Sequence, residues 1–201
     1  MSGPAQPAAS SVIPGVRYGA VVRHADERGA FREVWRADAF GRIDPADAGL
    51  APTETPTFVQ ANLSDSAPGV LRGLHFHRRQ LDYWIVNQGR ALVALVDLRP
   101  MLRDGGSRPV VETRELGPDE WVVIPSGVAH GFLALDALQL LYLVTTAYDG
   151  SDELGFAWDD PDAAVPWPAL SQTPDGRPIL SDRDRTNPTL ADLVVRLRHE
   201  P

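Results

Sequence analysis

The stretch Gly69-Val70-Leu71-Arg72-Gly73-Leu74-His75-Phe76-His77 reads as a β-strand that carries both core and chemistry. Strand side chains alternate between two faces, so Leu71, Gly73, His75 and His77 are expected to share one face. Outward from this stretch, similar short apolar segments recur at residues 16–22, 30–35, 57–64, 83–86, 91–98, 110–116, 121–124, 131–135 and 139–148. Turn signals separate them, such as Asn87-Gln88-Gly89, Gly117-Pro118-Asp119, Pro125-Ser126-Gly127 and Asp149-Gly150. In 139–148 the even positions Leu140, Tyr142, Val144, Thr146 and Tyr148 share a face, so a pair of histidines and a pair of tyrosines can line one interior. Helix is scarce: a short one within 36–49, and a C-terminal one over 190–198 opened by Asn187-Pro188-Thr189. Many short strands at this spacing predict an all-β, double-sheet jelly roll or β-barrel with a short C-terminal helix.

Composition narrows the function classes. A chain of 201 residues with 43% apolar residues can bury one core without disulfides, and it has no cysteine. That excludes a thiol nucleophile and a thiolate metal site, and fits a reducing cytoplasm. The formal net charge of −8 argues against nucleic acid as a partner, because binding it requires a basic surface. No apolar run approaches the ~20 residues of a membrane helix. Residues 1–14, rich in Ala, Pro and Ser, are expected to form a mobile tail, with residues 15–201 as a single domain.

The motif run identifies a family resemblance. Gly69-Val70-Leu71-Arg72-Gly73-Leu74-His75-Phe76 is similar to the signature of the dTDP-4-dehydrorhamnose 3,5-epimerase family. Further matching stretches follow in family order: Asp26-Glu27-Arg28-Gly29 with Glu33, Phe58-Val59-Gln60-Ala61-Asn62, Val96-Asp97-Leu98-Arg99, Ile124-Pro125-Ser126-Gly127-Val128-Ala129-His130, Trp158-Asp159-Asp160-Pro161 and Leu180-Ser181-Asp182-Arg183-Asp184. The resemblance spans roughly residues 15–188. It implies a cupin-type jelly-roll barrel, a cytoplasmic homodimer, a dTDP-4-keto-6-deoxyhexose as substrate, and neither metal nor other cofactor.

A C4 ketone acidifies the protons on C3 and C5. Inverting either carbon needs a base on one face of the ring, an acid on the other, and stabilisation of the enolate oxygen. Histidine suits the base because it is largely neutral near neutral pH. A carboxylate behind it fixes the tautomer and stabilises the imidazolium. The resemblance assigns His75 as base, Asp184 as its carboxylate and Tyr142 as proton donor, with Tyr148 stacking on thymine. It gives Arg28, Glu33, Gln60, Asn62, Arg72, His130, Glu153 and Arg183 to the sugar or diphosphate. Arginine suits a diphosphate because its planar fork makes bidentate contacts.

The sequence departs from the family at Gln80-Leu81-Asp82-Tyr83-Trp84, where Asp82 stands in place of a family lysine that lies near the enolate. Arg78 or Arg79 is a candidate replacement for that cation. The departure leaves open whether C3, C5 or both carbons are inverted. It also opens a second reading, a metal-dependent cupin that uses His75, His77, Asp82 and His130. A third is a barrel that binds nucleotide-sugars without turning them over.

Overall fold

The computed structural model describes residues 8–37, 44–54, 56–104, 108–150, 152, 154–170, 173 and 175–199. Two antiparallel sheets pack face to face. One has six strands in the order β1 (Ala8–Ala9), β2 (Arg17–Ala20), β10 (Glu120–Ile124), β7 (Asp82–Gln88), β12 (Leu138–Val144) and β5 (Gln60–Ser66). The other has five: β13 (Leu154–Gly155), β6 (Leu71–Phe76), β11 (Val128–Ala134), β8 (Ala91–Asp97) and β9 (Val110–Leu116). A separate hairpin, β3 (Arg23–Asp26) with β4 (Gly29–Arg32), forms a two-stranded sheet of its own. This is the expected jelly roll. Among the described residues no ladder joins the two sheets, so it is a sandwich and not a closed barrel.

Strand alternation distributes the core. In β8, Val93 and Leu95 point between the sheets, while Ala94 and Val96 point outward. Both faces are covered, which is why this strand reads as a continuous apolar run. The outward face of the five-stranded sheet is covered by Phe156, Ala163 and helix α3 (Leu190–His199). Leu190, Leu193 and Val194 form the buried stripe of α3, and Thr189 caps its start by accepting from the Asp192 N–H. The outward face of the six-stranded sheet is covered by Ala48, Leu50, Trp35 and Phe58, packed on Tyr83, Ile85 and Trp121.

Three local expectations are corrected. Residues 8–14 are docked: β1 pairs with β2, Ile13 is fully buried, and Ser10 donates to Glu112 at 2.6 Å. One apolar side chain reaching the core suffices to hold this Ala/Pro/Ser-rich segment, and residues 1–7 of the expected tail lie outside the described residues. Within 36–49 the helix is a single 3-10 turn, Pro45–Ala48, capped by Asp44; residues 38–43 of that expectation lie outside the described set. Two short helices, α1 (Arg99–Asp104) and α2 (Asp182–Arg185), add to the two expected from the sequence. Among the described residues no helix is long and apolar enough to cross a membrane.

Candidate active site

A cavity of about 440 Å³ opens between the sheets. One wall belongs to the six-stranded sheet, where register sets the rows: Asn62, Tyr142 and Trp84 lie abreast, as do Gln60, Val144 and Asp82. The even-numbered face of β12 lines the cavity, as the sequence pattern requires, with Tyr148 just beyond its end. The opposite wall comes from β6 and β11, where His75 pairs with His130 and Arg72 with Phe132. Here alternation slips. Arg72, not Leu71, faces the cavity with His75, and Leu71 is buried elsewhere, against Leu133 and Leu170. The β6–β11 register shifts between His130 and Phe132, beside Gly73, whose φ is +130°. That irregular step inverts the facing of the strand on either side of Gly73, so the expectation that Leu71 shares a face with His75 and His77 fails.

His75 and Asp184 meet at the cavity wall, Nε2 to Oδ1 at 2.8 Å. Ser181 caps α2 by accepting from the Asp184 N–H, and places this carboxylate, 4% exposed, against β6. Burial pushes the Asp184 carboxyl up. Hydrogen bonds from His75, Ser181 and the Gly73 N–H outweigh that and hold it below its usual value. It is therefore an anion at neutral pH. With Nε2 committed to Asp184, the Nδ1 of His75 is the atom that can accept a proton.

Deeper lie three further titratable groups. His130 is buried, donates from Nδ1 to the Val128 carbonyl at 3.0 Å, and meets the Trp84 ring edge-on at 5.1 Å. Burial pushes its imidazole down to about 4, with His77 and His75 adding to the shift and the Asp82 carboxylate opposing it. Asp82, 2% exposed, accepts from Gln80 Nε2 at 3.0 Å and from the Trp84 indole at 3.2 Å. His77 is held through Nδ1 by the Asp152 carbonyl at 2.6 Å. One ligating atom from each of His77, Asp82 and His130 lies within 4.8 Å of the others. His75 belongs to the pair with Asp184 instead, so the four-ligand set read from sequence reduces to three.

Of the other sequence candidates, Gln60, Asn62, Arg72, Tyr148 and Arg183 all line the cavity. Gln60 ties two of them together, donating to Asn62 and accepting from the Tyr148 N–H, both at 2.9 Å. Arg28 and Glu33 do not line it: Arg28 is exposed on the hairpin with Asp26, and Glu33 pairs with Arg36. Glu153 lies outside the described residues. Neither Arg78 nor Arg79 lines the cavity. Their backbone N–H groups bind the Asp152 carboxylate. Sequence reading missed Ser64, Trp84 and Ser181 as lining residues. Ser64 and Trp84 follow by alternation from Asn62 and Asp82, and Ser181 from its place three residues before Asp184, where a helix cap is expected.

The geometry agrees with what sequence comparison finds. The profile of the dTDP-4-dehydrorhamnose 3,5-epimerase family matches residues 10–192. A dTDP-4-dehydrorhamnose 3,5-epimerase of Methanothermobacter thermautotrophicus is 37% identical over 177 residues, covering 87% of this chain and 89% of its own. An RmlC epimerase of Mycobacterium tuberculosis superposes with a TM-score of 0.77 at 30% identity, over 96% of this chain and 92% of that one. A dTDP-6-deoxy-D-glucose-3,5-epimerase of Legionella pneumophila, solved with dTDP-4-keto-L-rhamnose, gives a TM-score of 0.77 at 28% identity, covering 96% of each chain. On a match that runs over residues 10–192 and takes in every lining residue of the cavity, the chain belongs to the dTDP-4-dehydrorhamnose 3,5-epimerase family.

Proposed function

We propose that the protein is an isomerase that epimerises a dTDP-4-keto-6-deoxyhexose at C3, C5 or both, by removing and returning protons alpha to the ketone. The observation that carries this reading is His75 on one sheet, paired with Asp184 of α2, across the cavity from Tyr142 on the other. A sugar ring lying between the sheets would meet a base on one side and a hydroxyl acid on the other, which is what inversion of a carbon requires. In this scheme His75 Nδ1 takes the proton from carbon, Asp184 stabilises the imidazolium, and Tyr142 delivers a proton to the opposite face. The Legionella relative's bound dTDP-sugar supports the substrate class. Tyr148, 67% exposed beside the cavity, is suited to stack on the base. Arg72 and Arg183 are suited to the diphosphate.

Incubation with dTDP-4-keto-6-deoxyglucose in deuterated water, followed by mass spectrometry, tests the reading. Deuterium should enter at C3, C5 or both, and His75→Ala should slow entry by about 10²–10⁴-fold, the usual contribution of a general base. Full-rate exchange in His75→Ala removes histidine from that role. The labelled position separates a 3-epimerase from a 3,5-epimerase.

A further inference from the structure

We propose that His77, Asp82 and His130 bind one divalent transition-metal ion, and that this ion faces the enolate oxygen of the epimerisation; the second half rests on the functional reading above. Three observations carry the site. Its three side chains come from both walls of the cavity and place one donor atom each within 4.8 Å of the others. Both imidazoles have Nδ1 engaged on a backbone carbonyl, His77 on Asp152 and His130 on Val128. Such a bond fixes the tautomer and leaves Nε2 as the lone pair, the arrangement that metal-binding histidines ordinarily use. Among the described residues no hydrogen bond reaches either Nε2, and no arginine forms an ion pair with Asp82.

Three lone-pair donors therefore converge on one part of the cavity wall, an arrangement that a cation among them would satisfy. Two imidazoles and one carboxylate suit Fe²⁺, Mn²⁺, Co²⁺, Ni²⁺ or Zn²⁺ better than Mg²⁺ or Ca²⁺, which favour all-oxygen sites. Bonds of about 2.0–2.2 Å need donors about 3 Å apart. His130 Nε2 and Asp82 Oδ2 stand at 4.0 Å and the three donors lie within 4.8 Å of one another, so a bound ion requires them to draw together by about 1–2 Å, with rotation of Asp82 supplying part of it. The carboxylate can turn because its two hydrogen-bond partners, Gln80 and Trp84, are themselves side chains. Three protein ligands leave positions for a substrate oxygen.

The site adjoins the base without including it. His75 is bound to Asp184, and it sits directly opposite His130 in the β6–β11 ladder. Side chains so opposed have Cβ atoms about 4.5–5.5 Å apart, so base and ion can address neighbouring atoms of one substrate. When the C–H bond breaks toward His75, its electron pair passes to the carbonyl oxygen, and no electron is lost or gained. All 19 cationic residues of this chain are arginines, so no lysine is available to offset that charge. A metal beside the carbonyl would do so.

The test uses full-length, tag-free protein stripped with chelator and dialysed anaerobically against Zn²⁺, Co²⁺ or Fe²⁺, with metal content read by elemental analysis. One equivalent per chain is expected, with a rise in melting temperature and, for Co²⁺, visible d–d absorption. Asp82→Asn and His77→Gln should weaken binding by more than about 100-fold, the upper range for second-shell changes. His75→Ala should retain the metal, which shows that loss in the other two is not general misfolding, and circular dichroism checks each variant. Failure of the wild-type protein to bind any of these ions overturns the site, whether or not deuterium exchange occurs. Stoichiometric metal with exchange unchanged after chelation overturns the role at the enolate. Stoichiometric metal without exchange in any state leaves the site standing and refutes the epimerase reading instead.

Discussion

His75 and Asp184 illustrate how much one buried residue depends on its partner. The carboxylate is almost inaccessible and its charge is kept by hydrogen bonds, that of His75 foremost. Asp184→Asn keeps the shape but removes the charge that stabilises the imidazolium. Deuterium exchange is expected to fall by on the order of 10²–10⁴-fold with the fold retained, as judged by mass spectrometry alongside a thermal melt. His130 makes a prediction about pH. It stays neutral in the folded protein down to about 4, whereas a histidine in an unfolded chain titrates near ~6.5. Between those values the unfolded state binds the extra proton. The contribution is complete above pH ~6.5 and is lost as pH falls toward 4, by at most about 3 kcal/mol. Urea unfolding of metal-free protein should show this slope, and His130→Phe should lack it. Equal slopes in the two proteins would mean that His130 is not buried neutral.

At the level of single elements, the crossing of β6 and β11 decides the site. A Cβ on Gly73 would lie 2.7 Å from the Gly131 Cα, and one on Gly131 would lie 2.7 Å from the Arg72 carbonyl. The two backbones pass too closely for any side chain, and Gly73 also holds a positive φ. Gly73→Ala should cost more than about 2 kcal/mol in chemical denaturation and misplace His75; a variant of wild-type stability would refute the close crossing. This crossing was also where the sequence misled. Regular alternation places Leu140, Tyr142 and Val144 correctly because all three stand within β12, while Tyr148 reaches the cavity from beyond the end of that strand. The same rule failed for Leu71 and Arg72, since the slip at Gly73 is a backbone event that no side-chain pattern records. Apart from the short β1, β3 and β13, the strands and α3 were legible from periodicity and turn residues. Helix α2 was not, because its four residues, Asp182–Arg185, are all charged and offer no apolar period. Arg28 and Glu33 matched the family by motif, yet in this chain they lie away from the cavity.

For the whole molecule, the β3–β4 hairpin is the feature that a single chain leaves unexplained. It pairs with neither large sheet and is held at its base by Arg32, which bonds Asp119 and Asn87, with Phe31 69% exposed beyond. We infer a homodimer in which this hairpin packs on a second copy and brings Arg28 and Glu33 toward the partner's cavity. Light scattering should give about twice the 21.9 kDa chain mass, and Phe31→Glu should shift it to the monomer. A wild-type monomer at micromolar concentration would rule the arrangement out. The sandwich itself is filled unevenly. Val86, Val93, Val122 and Leu138 pack one part of the inter-sheet space, while the rows through Asp82 and His75 border a hollow. Mechanically this is a spring clip, stiff at its packed end and compliant at its jaws. Amides at Tyr83, Val144 and Phe76 should therefore exchange with solvent faster than those at Val86, Val93 and Val122. A dTDP-sugar, or a metal held from both walls, should slow the first group and leave the second unchanged, so that occupancy is read as rigidity of the jaws.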